Sequence, residues 1–209
     1  MPRSHQQPSD PKAILDFWFD LTKPKHWFRQ NDSFDQCIRE CFGNDCQQAQ
    51  EGNLDHWANQ PQGSLALVLL LDQISRHVWR GSAQAYAGDT KAVTLSLAAV
   101  ELGWVGQEPR RVRRQFWLMP LLHSEALADQ CKAMELITQY ADPATAAVAQ
   151  RHHALIQRFG RFPHRNAVLQ RPNTSEEECY LRVQHRKADH PSASAPADLP
   201  QKPSADPPE

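Results

Sequence analysis

Asp72, Arg76 and Arg80 lie four residues apart. On a helix of about 3.6 residues per turn each such step advances only about 40°, so the three form one polar stripe with Gln73 beside it. Arginines on such a stripe can hold a carboxylate or phosphate through paired N–H donors, and Asp72 can orient them or take a proton. The plainer alternative is an Asp72–Arg76 ion pair on a solvated face. The preceding residues decide between the two. Leu65-Ala66-Leu67-Val68-Leu69-Leu70-Leu71 is apolar on every side, the pattern of a helix enclosed by others. Charges that continue such a helix must be paired, so the stripe is expected in the interior.

Two further segments carry groups of the same kind. Met119-Pro120-Leu121-Leu122-His123-Ser124-Glu125 places an imidazole and a carboxylate among leucines, as a hydrogen-bonded core histidine or as a proton carrier. Ser124 lacks the G-x-S-x-G context of a nucleophile. No second histidine or carboxylate follows at the spacing by which one helix supplies two zinc ligands, so no metal and no cofactor is expected. The third segment, Arg158 to Asn166, offers Arg161, His164, Arg165 and Asn166 as donors, and no Asp or Glu occurs from there to Arg171. It needs acids from elsewhere, such as Asp72, Asp89 or Glu125, or an anionic ligand. Phe159 and Phe162 could stack on bases with help from Arg110 to Arg114, but 23 basic against 24 acidic residues give no global pull toward nucleic acid or an anionic membrane.

The elements that must position these groups read as helices throughout. Ala13 to Phe19 is aromatic-rich at helical spacing, with Trp27 and Phe28 following. A helix capped by Asp32 or Ser33 runs to Gly43 or Gly52. The central helix runs from Ser64 through Arg80 to Gly81, and Ala83 to Leu102 forms the next. A helix from Pro109 is broken or kinked at Pro120, after which Leu121 to Tyr140 and Ala144 to Arg158 follow, the latter ending at Gly160. Thr174-Ser175-Glu176-Glu177 resembles a capping sequence for a short helix to Leu181. The expected architecture is all-α, stacked antiparallel helical hairpins of tetratricopeptide-like form without a consensus repeat. The folded part spans residues 11–182; residues 1–10 and the Pro-rich residues 183–209 are expected to be unstructured tails. The longest apolar run is far short of the roughly 20 residues a membrane helix needs, and no signal core is present, so a cytoplasmic protein is expected. The five cysteines are odd in number, without paired C-x-x-C spacing, and read as small hydrophobes.

Trp18-Phe19 with Trp27-Phe28, Leu71-Asp72-Gln73 with Arg76 and Arg80-Gly81, the 119–125 string, Arg158 to Asn166, and Thr174 with Glu176 and Glu177 together resemble the bacterial domain-of-unknown-function family 924. The resemblance covers Ala13 to Leu181 and implies an all-helical, tetratricopeptide-like fold, with no activity to carry over. Two positions depart from the family pattern. His77 stands where Asn is usual, and Gln170 stands where Leu-Gly-Arg has its glycine.

The residues themselves suggest a small anionic ligand held by Gln73, Arg76, Arg80, Arg161, His164, Arg165 and Asn166. Protons would be handled by His123 with Asp72 or Glu125, in a cofactor-free hydrolysis or transfer. The rival expectation is a non-enzymatic scaffold that receives an acidic peptide or protein partner in a concave helical surface.

Overall fold

Burying an apolar run such as Leu65 to Leu71 requires neighbours on every side of it, and the chain supplies them as helices. The structure, a computed structural model, describes residues 9–189, so most of the two expected tails, residues 1–8 and 190–209, lies outside the described residues. In chain order the helices are α1 (Pro11–Asp16), α2 (Asp32–Glu51), α3 (Pro61–Val68), α4 (Ser75–Val78), α5 (Asp89–Glu101), α6 (Trp104–Gln107), α7 (Arg111–His123), α8 (Leu127–Tyr140), α9 (Pro143–Phe159) and α10 (Ser175–Asp189). Among the described residues there is no strand, and the fold is all-α. Also among these residues, no helix is long and apolar enough to cross a membrane.

α3 and α4 are two ends of one rod, joined by a π-helical turn over Leu69–Ile74. α1, α2, α5 and α7 surround it, and its leucines join Trp18, Phe116 and Trp117 in the core. The rod starts at Pro61, earlier than the Ser64 read from the sequence, because a proline at the first helical position has no N–H to leave unpaired. Gly63, in its first turn, lies against the Trp57 backbone, and any Cβ there would overlap the Trp57 carbonyl. A π turn holds one residue more than an α turn and frequently marks a functional position. Side chains serve its carbonyls here: Cys46 Sγ reaches Leu70 O at 3.5 Å, and Ser75 Oγ donates to Leu71 O at 2.8 Å.

Several boundaries differ from those expected, each for a local reason. α4 ends at Val78, so Arg80 sits past the helix on the turn made by Gly81, whose φ is 77°. α2 runs unbroken to Gly52 and is capped by Asn31, which accepts from Phe34 N–H at 2.9 Å. Ala83–Tyr86 is a 3-10 turn separate from α5, and Gly88 after it lets the chain pass Leu71, where a Cβ would stand 2.8 Å from Leu71 O. α7 continues through Pro120 and breaks instead at Ser124. Its terminal carbonyls are taken by Gln130 of α8, whose Nε2 donates to Leu122 O and Ser124 O, each at 2.8 Å. α10 begins with the expected capping box, Thr174 N–H to Glu177 Oε2 at 2.7 Å and Glu177 N–H to Thr174 Oγ1 at 3.2 Å. It then continues to Asp189, past the boundary expected at residue 182. Glutamates in its first turn complement the helix dipole.

Candidate functional site

The π turn delivers Asp72 to a fully enclosed position, 0 % exposed. All its polar neighbours there are donors: His123 Nδ1 at 2.7 Å, Gln73 Nε2 at 2.5 Å and Arg76 Nη2 at 3.4 Å. Burial opposes ionisation of Asp72, but His123, Arg76 and Gln73 outweigh it and bring its pKa down to about 2. An ionised Asp72 accepts the His123 Nδ1–H, which fixes the ring's orientation and leaves Nε2 as the basic nitrogen. His123 is the last residue of α7. Next to it, His152 of α9 places Nδ1 2.9 Å from Leu122 O. Burial, followed by the influence of His123, lowers the His152 pKa to about 4. His152 is therefore neutral at pH 7, donating through Nδ1 and presenting an unprotonated Nε2.

The arginines are arranged in pairs. Arg76 donates to Asp89 Oδ1 at 2.7 Å and to Ala85 O at 2.6 Å, and Arg165 reaches Asp89 Oδ2 at 3.1 Å. Both guanidiniums also lie over the Tyr86 ring, 4.4 and 4.7 Å from its centroid. One carboxylate and one ring thus serve two cations. Arg165 is only 6 % exposed, and its Nε–H has no hydrogen-bond partner, an expensive condition for a buried donor. Arg80 forks onto Asp35 of α2 at 2.5 and 2.9 Å. Asp35 also pairs with His77 Nδ1 at 2.7 Å, and His77 Nε2 lies 3.2 Å from Trp27 O. His77, one of the two departures from the family pattern, thus ties α2 and the Trp27 segment to the rod.

These groups meet at one cavity of about 260 Å³. The rod and its exit supply Gln73, Arg76, His77 and Arg80; the segment before α2 supplies Trp27 and Phe28; Tyr86, His123 and His152 close further sides; and the loop after α9 adds Phe162, His164 and Arg165. Of the residues singled out in the sequence, Gln73, Arg76, Arg80, His123, His164 and Arg165 reach the cavity, with Asp72 behind His123. A wider cleft of about 700 Å³ opens between residues 60–62 and Trp104 to Arg113, but it contains no imidazole. Among the described residues no three His, Cys, Asp or Glu side chains are grouped as metal ligands would be.

Glu125, Arg161 and Asn166 do not line the cavity; they build the loop that does. Glu125 accepts from Arg171 at 2.6 and 3.0 Å and from the Phe162 N–H at 2.8 Å. Against the opposing effect of burial, those donors keep its pKa below the usual value, so it remains ionised and is an anchor, not a proton carrier. Arg161 turns away to Glu177, at 2.6 and 2.7 Å, and to Pro172 O at 2.8 Å. Asn166 donates to Asn173 Oδ1 at 2.8 Å and accepts from Arg171 Nε at 3.0 Å. Asp35, Tyr86 and His152 were not part of the sequence-derived set. Trp27 and Phe28 were legible only as docking aromatics.

The loop ends at the second departure from the family pattern. Gln170 has φ 54°, the left-handed conformation that a glycine adopts freely. Gln170→Gly should therefore stabilise the protein by about 1 kcal/mol, read as a small rise in Tm without change at the cavity. A fall in Tm would show that the Gln170 side chain holds the turn that places Arg171.

Comparison with curated proteins finds no match. Among solved structures the chain resembles the protein of unknown function ATU0120 from Agrobacterium tumefaciens, with 35% identity and a TM-score of 0.77 over 83% of this chain and 97% of that one. Residues 14–184, from α1 into α10, match the description "Bacterial protein of unknown function (DUF924)". On a match of that extent, the chain belongs to the DUF924 family of bacterial proteins.

Proposed function

We propose that the cavity binds a small carboxylate or phosphate and supports cofactor-free hydrolysis of its ester, or transfer to a hydroxyl acceptor. The observation that carries this reading is the Asp72–His123 pair beside the paired arginines. His123 Nε2 accepts a proton from water or an acceptor hydroxyl as the oxygen attacks, and returns it to the leaving oxygen. Asp72 holds the ring and stabilises the imidazolium that forms. Arg76 and Arg165 hold the anion and the charge that develops on it. Arg76 and Arg165 are already paired with Asp72 and Asp89, so in this reading the anion is held by oriented N–H donors and not by net positive charge. Burial, then the Arg76 charge, lowers the Arg165 pKa; an anion in the cavity offsets the mutual repulsion of the two guanidiniums. The volume of about 260 Å³ sits just below the roughly 300–1,000 Å³ of small-molecule sites, which favours a small ligand over a peptide.

The test is a thermal-shift screen with phosphates and carboxylates, followed by turnover of the matching esters. Wild type should be stabilised by a ligand and should turn over its ester. His123→Ala should keep the stabilisation and lose turnover by a factor on the order of 10²–10⁴, and Arg165→Lys should weaken both. Stabilisation without turnover in wild type would overturn catalysis and leave a binding protein. A screen with no stabilising anion would overturn the whole reading.

A further inference from the structure

The anion-holding groups occupy only part of the cavity wall, and the rest is aromatic. Trp27, Phe28, Tyr86 and Phe162 all line it. Three of them have evident structural work: Trp27 is 8 % exposed and donates through Nε1 to Trp18 O at 3.0 Å, Phe162 is 1 % exposed and lies under Arg165, and Tyr86 carries both guanidiniums. Phe28 differs. It is 52 % exposed, stacks at 5° on Phe116 with centroids 6.1 Å apart, and meets Trp27 edge-on at 6.3 Å. A large ring half in water at the mouth of a cavity, already ordered by two aromatic neighbours, is a seat for an apolar group.

Taking the anion site above as given, we infer that its ligand is an aryl-substituted anion, with the ring against Phe28 and Trp27 and the anionic head at Arg76 and Arg165. The aromatic walls favour a flat ring over an alkyl chain, since stacked and edge-on contacts are both open to it. Size agrees with a small ligand. The cavity of about 260 Å³ lies at the small end of small-molecule sites, room for one ring with one head. Arg76 and Arg165 line the same cavity as Phe28 and Trp27, so the head meets guanidinium donors while the ring meets the aromatic wall.

The experiment is calorimetric titration of the full chain with two ligand pairs, phenyl phosphate against methyl phosphate and benzoate against acetate. It is carried out on wild type, Phe28→Ala and Phe28→Leu, with circular dichroism confirming that the variants are folded. In at least one pair, wild type should bind the aryl member about tenfold or more tightly than its alkyl partner. That ratio should fall toward one in Phe28→Ala and fall clearly in Phe28→Leu, while the alkyl member's affinity is unchanged. Equal affinities within both pairs in wild type would overturn the aryl inference and leave the anion site standing. So would a ratio that survives Phe28→Ala, which moves the seat elsewhere, or one kept by Phe28→Leu, which makes it merely apolar. If none of the four ligands binds, the anion site and this inference fall together.

Discussion

Replacing Asp72 with asparagine should remove about 2 kcal/mol of stability at pH 7 and most of any turnover. Asparagine keeps the shape but turns an acceptor-only group into one that must point an N–H₂ at a neighbour. All of those neighbours, His123 Nδ1–H, Gln73 Nε2 and Arg76 Nη2, are themselves donors. The loss has a pH signature whose sign follows from linkage. The Asp72 pKa is about 2 in the folded protein against an ordinary value of 3.8, so its contribution is fully present above about pH 5 and disappears as the pH falls toward 2. A shift of that size corresponds to about 2 kcal/mol. Urea denaturation of wild type and Asp72→Asn between pH 7 and pH 2 should give curves that are separated at neutral pH and converge in acid. A constant gap across that range would mean that Asp72 acts through packing alone. Ring ¹⁵N shifts of His123 should report a change of tautomer in the variant; an unchanged tautomer would remove Asp72 from the proton-handling role.

The largest purely structural effect is expected from one methyl group. Gly63→Ala places a Cβ inside the contact radius of the Trp57 carbonyl. Backbone cannot yield as a side-chain tip does, so the start of the rod or the Asp55–Asn59 turn must shift. Overpacking of that kind costs about 3 kcal/mol, a Tm decrease of roughly 6–12 °C in a chain of this size. Gly43→Ala in α2 is the control, because its new Cβ would meet only ordinary contacts at 3.9 Å. There the helix propensity of alanine should raise stability by up to about 1 kcal/mol. Opposite signs for the same substitution in two helices would confirm the close approach at Gly63, and equal small effects would show that the turn before the rod gives way freely.

What could be read from the sequence was whatever depends on neighbours along the chain. The apolar run announced an enclosed helix, Pro143 and Gly160 marked the two ends of α9, and the residues from Asp72 to Arg76 and His123 were identifiable as candidate site groups by type and setting. Pairings between distant segments were harder to read. Asp89 was named as a counter-acid for the Arg165 segment and is one, but Arg80 with Asp35 and Arg161 with Glu177 join residues whose local spacing says nothing about the other. This is why Arg161 and Glu125, plausible by type, proved to be loop anchors. The left-handed Gln170 was foreshadowed only by a missing glycine. The π turn was hidden for a different reason. A run of leucines has no polar face, so its period cannot be counted, and the offset it introduces shows only where charged residues resume.

That uncounted offset ties the core to the cavity wall. Between Leu69 and Ile74 the rod carries one residue beyond what an α-helical ladder would hold. Because every side chain just before it is aliphatic and enclosed, losing one codon there would exchange one leucine contact for another. Everything downstream would meanwhile turn by about 100°, and Arg76 would leave the cavity wall. Ile74 and Val78 would leave the core with it. The length of this one turn therefore fixes the face on which Asp72, Arg76 and His77 stand, whichever aliphatic residues fill the run before it.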